Sequence, residues 1–92
     1  MKITFSAILT VEAALKAVER NGYALQYVKE QTEPVCLKAV EQDGDALQYV
    51  QEQTEPVCLK AVERNGDALR YVLDLKLFLS LAAKFNIETD QK

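Results

Sequence analysis

The chain has no histidine, only two cysteines and no run of basic residues, and each gap removes a class of function. A metal site built on thiolate and imidazole needs more ligands than two cysteines supply. Acid–base and nucleophilic catalysis most often recruits histidine, and no glycine-rich phosphate loop, Walker pattern or nucleophile elbow stands anywhere in the sequence. Carboxylates are plentiful, but they fall in caps and on outer faces, where nothing would bury them and raise a pKa. The expectation is a protein that is not an enzyme and takes no cofactor and no metal. The formal net charge is −3 and the signs alternate along the chain, so the electrostatic footprint of a nucleic-acid binder is missing. No stretch reaches the roughly 18 apolar residues of a membrane span. Nucleic acid and membrane are therefore both set aside as partners.

The chain starts MKITFSAILTVEAAL, a lysine followed by an apolar stretch in the manner of a signal peptide. Glu12 interrupts that stretch. Residues 10–18, TVEAALKAV, also align with residues 32–40, TEPVCLKAV, so the segment reads as part of the fold and the expected location is cytoplasmic.

What the sequence does contain is a 22-residue unit written almost three times. Residues 15–36 read LKAVERNGYALQYVKEQTEPVC, residues 37–58 read LKAVEQDGDALQYVQEQTEPVC, and residues 59–72 begin again as LKAVERNGDALRYV before drifting into LDLKLFLS. Self-similarity at a fixed period marks a stack of equivalent supersecondary units. With 92 residues, 49% of them hydrophobic and 27% charged, the expectation is one small all-α domain, a short α-solenoid. It divides into a degenerate cap over residues 1–14, repeats over 15–36, 37–58 and 59–80, and a C-terminal capping helix over about 75–86.

Within a unit the start and stop signals predict two short helices. Thr32 caps a helix whose first turn holds Glu33 and Pro34, a favourable charge and a favourable missing donor. That helix continues over residues 35–41, and Gly44, like Gly22 and Gly66, is expected to end it in the left-handed conformation. Asp45 is expected to cap the second helix, residues 46–52. At about 100° per residue, Val35, Cys36, Leu37, Ala39 and Val40 cover an arc of about 200°, wider than the stripe of a surface helix. Such an arc suits a helix held between its own partner and a neighbouring repeat. On the second helix Ala46, Leu47, Tyr49 and Val50 face inward, while Gln48 and Glu52 face water. Helices this short are marginal alone, so stacking must hold them.

The four differences between the first two units are Arg20/Gln42, Asn21/Asp43, Tyr23/Asp45 and Lys29/Gln51, all in the turn or at outer and edge positions. After Val72 the pattern fails. Residues 73–81 alternate like a strand, but Asp74 as a cap and Asn86–Ile87 as a left-handed stop favour a helix over residues 75–85. The alternatives are one continuous helix over 67–85 or a true strand. At the other end Ile3, Phe5, Ala7 and Leu9 alternate, so residues 1–9 read either as extended or as a degraded copy of the second helix.

Cys36 and Cys58 occupy equivalent positions, with Ser80 and Ala14 in the same slot. Equivalent helices pack about 8–10 Å apart and a disulfide needs Cα atoms within about 7 Å, so both thiols read as small buried side chains. Tyr27, Tyr49 and Tyr71 form a ladder at the edge of the second helix. It reads as partial burial with each hydroxyl reaching water or a backbone carbonyl, or as a row of anchors for a partner. The lysines at 16, 38 and 60 and the glutamates at 19, 41 and 63 read as a weakly paired, solvated face. The segment LKLFLSLAAKF is apolar on nearly every side, so Leu77 and Phe78 are expected to be covered by the fold or by a second subunit.

The motif A-V-E-x-[ND]-G-x-A-L-x-Y-V recurs with alanine and tyrosine at positions 17 and 27, 39 and 49, and 61 and 71. It resembles the short helical repeat of the family catalogued as domain of unknown function 4116. The resemblance covers residues 10–72 and implies an all-helical repeat array with no assigned activity and no catalytic residue to transfer. Asp43 departs from the usual asparagine.

Stacked repeats present extended surfaces rather than pockets, so the expected function is a protein–protein interaction module. A partner would be met through the varied outer positions Arg20, Tyr23, Gln42, Asp45, Arg64, Asp67 and Arg70, with Tyr27, Tyr49 and Tyr71 as anchors, or through the apolar ends with Leu77 and Phe78. The alternatives are a small phage- or mobile-element-encoded inhibitor of a host enzyme, and a structural homo-oligomer built through the C-terminal helix.

Overall fold

The computed structural model describes the backbone of residues 5–87 and the side chains of residues 12–87. Within these residues four α-helices alternate with three 3₁₀ turns. The helices are α1 (Phe5–Arg20), α2 (Glu33–Gln42), α3 (Glu55–Arg64) and α4 (Leu75–Lys84). The turns are η1 (Gly22–Tyr27), η2 (Gly44–Tyr49) and η3 (Gly66–Tyr71). Among the described residues there is no strand, and the architecture is the all-helical repeat stack that the period implies.

The start signals act as read. Thr32 Oγ1 accepts from the Val35 amide, and Thr54 Oγ1 from the Val57 amide, each with Glu and Pro opening the helix. Asp74 Oδ1 accepts from the Leu77 amide at 2.9 Å and starts α4, which separates it from η3 and excludes one helix over 67–85. At the far end Asn86 has φ 54°, the Ile87 amide donates to Ala82 O and the Asn86 amide to Ala83 O. That is the complete Schellman pair of bonds, with Ile87 supplying its apolar contact.

The second element differs from the expectation in three ways. It is a 3₁₀ turn of six residues, Gly44–Tyr49 in the middle unit, not a helix over 46–52. Its cap is Asp43, not Asp45: Asp43 is extended (φ −152°, ψ 113°) and its carboxylate accepts from the Asp45 amide at 3.0 Å. Asn21 and Asn65 do the same for Tyr23 and Asp67. One residue thus ends the α-helix and starts the next turn, because a short Asx side chain bonds the backbone two residues on. The glycines are not left-handed, since none has positive φ. At Gly22 and Gly44 the reason for glycine is space. A Cβ on Gly22 would lie 2.5 Å from the Ala39 carbonyl oxygen, and one on Gly44 would lie 2.4 Å from that of Ala61. The glycine lets one unit's turn lie against the next unit's helix.

Residues 5–9 belong to α1, which runs without a break through residue 14, so they are neither extended nor a copy of the turn. Residues 1–4 lie outside the described residues.

The core follows the repeat. Val18, Leu25, Val40, Leu47, Val62 and Leu69 are buried, as are the small residues Ala39, Ala61, Ala46 and Ala68. Helix α2 packs against α1, η1, η2 and α3, which explains why its apolar arc is so wide. Among the described residues the last helix, α4, rests only on α3 and η3.

Candidate interaction surfaces

Two half-buried glutamines stitch the units together. Gln31 Nε2 donates to Tyr49 O at 2.9 Å and also reaches the Leu25 and Val28 carbonyls of its own unit, while its Oε1 accepts from the Gln51 amide at 2.9 Å. Gln53 repeats this with Tyr71 O at 2.7 Å and the Leu73 amide at 3.0 Å. A side-chain amide has one donor and one acceptor end, so it can bond the backbone of a neighbouring unit as a strand would. These glutamines were not singled out from the sequence. Their signal was recurrence at one position, which every packing residue of the unit shares.

The cysteine slot is a buried one, as expected at Cys36 and Cys58. Both thiols are free, and each Sγ approaches the Oε1 of the local glutamine at 3.6 Å. Burial, with Asp74 adding to it, pushes the Cys58 thiol up to about 11. Burial and then Glu33 raise Cys36. Ala14 is buried in the same slot, but Ser80 is exposed because α4 starts two residues earlier than the repeat would place it.

The tyrosines do not form a uniform ladder. Tyr27 is 80% exposed at the N-terminal end. Tyr49 is half-buried and meets Tyr23 of the preceding unit edge-on, with ring centroids 5.6 Å apart and planes at 72°. Tyr71 is half-buried under the Arg70 guanidinium, 4.8 Å from the ring centroid, and its hydroxyl accepts from Arg70 Nη2 at 2.8 Å. Tyr23, read as an outer position, is therefore packed; burial and the nearby Asp43 and Asp45 raise its phenol. Asp45 is half-buried as well and accepts from Asn65 Nδ2 at 3.1 Å. Arg20, Gln42, Arg64, Asp67 and Arg70 are exposed, Arg64 with its Nε on Glu41 O at 2.9 Å. Lys38 pairs with Glu41 and Glu19, and Lys60 with Glu63, at 3.6–3.9 Å across exposed surface, where such pairs contribute about 0–1 kcal/mol.

The ends of the stack differ from its middle. At the C-terminal end Leu77 and Phe78 are half-buried against the core, but Leu73, Leu75 and Leu79 are 79%, 69% and 45% exposed. At the N-terminal end Ala13, Ala17, Ala24, Tyr27 and Val28 line an open, mostly apolar groove of about 650 Å³, with Lys29 and Glu30 at its edge. Among the described residues no three metal-ligating side chains cluster, and no helix is long and apolar enough to cross a membrane.

No curated protein and no solved structure matches the chain. The family model described as Domain of unknown function (DUF4116) matches twice, over residues 11–53 and 32–76, the two matches overlapping as successive windows on a repeat would. Those windows span η1 to η3 and every glycine and glutamine contact between the units, so the chain belongs to the domain of unknown function 4116 family.

Proposed function

We propose that the chain is a protein–protein interaction module acting in the cytoplasm, where its two buried thiols stay reduced. The observation that carries this reading is the distribution of exposed large apolar side chains. Among the described residues they are Tyr27 at one end and Leu73, Leu75 and Leu79 at the other, with none on the flanks. Exposed apolar surface concentrated at one place marks a contact site more often than scattered single residues do. The flanks carry the varied polar positions Arg20, Gln42, Arg64, Asp67 and Arg70, which suit a polar rim. The test is retention of a partner from the native cells by the wild-type chain and its loss on Tyr27→Asp or on Leu75→Glu. A partner retained equally by both variants and by the wild type would defeat the reading. A second reading, a homo-oligomer built through α4, is supported by the same three leucines, which lie together on or beside that helix.

A further inference from the structure

The N-terminal groove is a copy of the surface that the repeats use on one another. Ala17, Ala24, Tyr27 and Val28 are the first-unit counterparts of Ala39, Ala46, Tyr49 and Val50, and of Ala61, Ala68, Tyr71 and Val72. In the second and third units the alanines at these positions are 0% exposed and the valines 6% and 8%, because the preceding unit lies on them. In the first unit Ala17 and Tyr27 are exposed and Ala24 and Val28 half-buried. Ala13 is exposed where Val35 and Val57 are 1% exposed. Among the described residues, the surface that receives a unit is thus built three times and covered twice.

What covers it is the same each time. A glycine of the preceding unit lies against the alanine carbonyl, as Gly22 does on Ala39 and Gly44 on Ala61. A glutamine of that unit then bonds the tyrosine carbonyl and the amide two residues on, as Gln31 does at Tyr49 and Gln51, and Gln53 at Tyr71 and Leu73. The corresponding groups of the first unit are the carbonyls of Ala17 and Tyr27 and the amide of Lys29. A second copy of this chain is poorly suited to reach them. Its last unit has Leu75 where the stitching glutamine would stand, and α4 already lies on that end.

We infer that the N-terminal face of the stack docks a repeat unit of this same kind carried by another polypeptide, one with glycine and glutamine at the places of Gly44 and Gln53. This rests on the interaction-module reading and names the partner and site within it. The occupant is fixed by continuity with an interface that the chain already forms twice. It would present a backbone glycine to the Ala17 carbonyl and a side-chain amide to Tyr27 O and the Lys29 amide, and it would cover the Tyr27 ring.

The probe is a synthetic peptide of residues 32–53, one unit from its threonine cap to its glutamine, titrated into the full chain labelled for amide NMR. The expected result is saturable shifts at Ala13, Ala17, Ala24, Tyr27 and Val28, weakened about tenfold or more by Ala17→Glu in the protein. The same loss is expected with Gly44→Val in the peptide. Because a free peptide of this length must fold as it binds, the unit is also joined to Lys92 through a long glycine–serine linker, which raises its effective concentration to about millimolar. No shift at these residues even when tethered overturns the inference. So does equal binding of the Gly44→Val peptide, a response centred on Leu73, Leu75 and Leu79, or a free chain whose mass is twice the monomer until Ala17→Glu is introduced. A cellular partner lost on Tyr27→Asp while the peptide fails would overturn this inference and leave the interaction-module reading standing.

Discussion

A Cβ on Gly44 would stand 2.4 Å from the carbonyl oxygen of Ala61, and it would also meet Asn65 Cβ at 2.9 Å. The relationship joins two successive units through backbone atoms, which have little room to give. It makes the glycine a spacer between units rather than a stop within one. The position can therefore be tested without invoking backbone strain, since no glycine here has positive φ.

Gly44→Ala is expected to destabilise the fold by about 1–3 kcal/mol, the usual range for overpacking a close contact. Gly22→Ala should behave the same way, because its Cβ would meet the Ala39 carbonyl at 2.5 Å. Gly66 has only Ile87 Cδ1 at 3.5 Å. Gly66→Ala should therefore be neutral or stabilise by up to about 1 kcal/mol through the unfolded chain. Urea unfolding of the three variants checks this, and equal losses at all three positions would refute the spacer role.

The glutamine bridges give a second expectation. Gln31→Ala removes the donor to Tyr49 O and the acceptor of the Gln51 amide, and Gln53→Ala removes the equivalent pair at Tyr71 and Leu73. Each should cost about 1–3 kcal/mol, the range for stranding partly buried backbone groups. Amide exchange offers a sharper readout. Gln51 and Leu73 are exposed residues whose amides should exchange slowly because a side chain of the preceding unit holds them. Gln31→Ala should release the Gln51 amide and spare that of Leu73, and Gln53→Ala should do the reverse.

The Cys58 thiol predicts a pH effect at the alkaline side. Its pKa in the fold is about 11 against an unfolded value of about 9, from burial and the nearby Asp74. The folded state therefore holds the proton more tightly than the unfolded chain. The stabilisation is complete below about pH 9 and is lost as pH rises through about 11, with stability falling across that window. Over the window the change should be on the order of 1–2 kcal/mol for this group. Comparing wild type with Cys58→Ala by urea unfolding at pH 8 and pH 10.5 checks it, since the variant should show the smaller fall. Alkylation of the native protein at pH 8 should be slow at both cysteines for the same reason.

Much of this architecture was legible in the sequence. The Thr32 and Asp74 caps, the Asn86–Ile87 stop and the buried cysteine slot all follow from side chains acting within a few residues of themselves. The wide apolar arc on residues 35–40 also called correctly for neighbours on both sides. What the sequence hid lies between units. The 3₁₀ form of Gly44–Tyr49 arises because Asp43 is extended and bonds the Asp45 amide, and the glycine then lies against a carbonyl in the next repeat. Local signals at a glycine after a helix cannot distinguish that use from a left-handed stop. Gln31 and Gln53 escaped notice for a related reason, because their partners lie 18–20 residues away. The expected tyrosine ladder assumed three equal environments. The first unit has no unit before it among the described residues and the third has Arg70 beside its tyrosine, so the three rings differ.

The exposed leucines of the C-terminal end set the last expectation, and magnitudes decide it. Burying a leucine side chain contributes about 1.5–3 kcal/mol. Leu73, Leu75 and Leu79 are already partly covered, at 79%, 69% and 45% exposure, so a symmetric contact between two copies would gain roughly 8 kcal/mol from them. Lost translational and rotational freedom takes back about 4–15 kcal/mol. Self-association through α4 is therefore weak. Light scattering should give the monomer mass of 10.3 kDa at low micromolar concentration, with a rise only at hundreds of micromolar or above. Leu75→Glu with Leu79→Glu should remove that rise, and the double variant should unfold at the same urea concentration as the wild type, since neither side chain belongs to the buried core. A tight dimer at micromolar concentration that the double variant dissolves would establish the homo-oligomer as the better account of this end. A mass insensitive to both leucines would assign any self-association to another face.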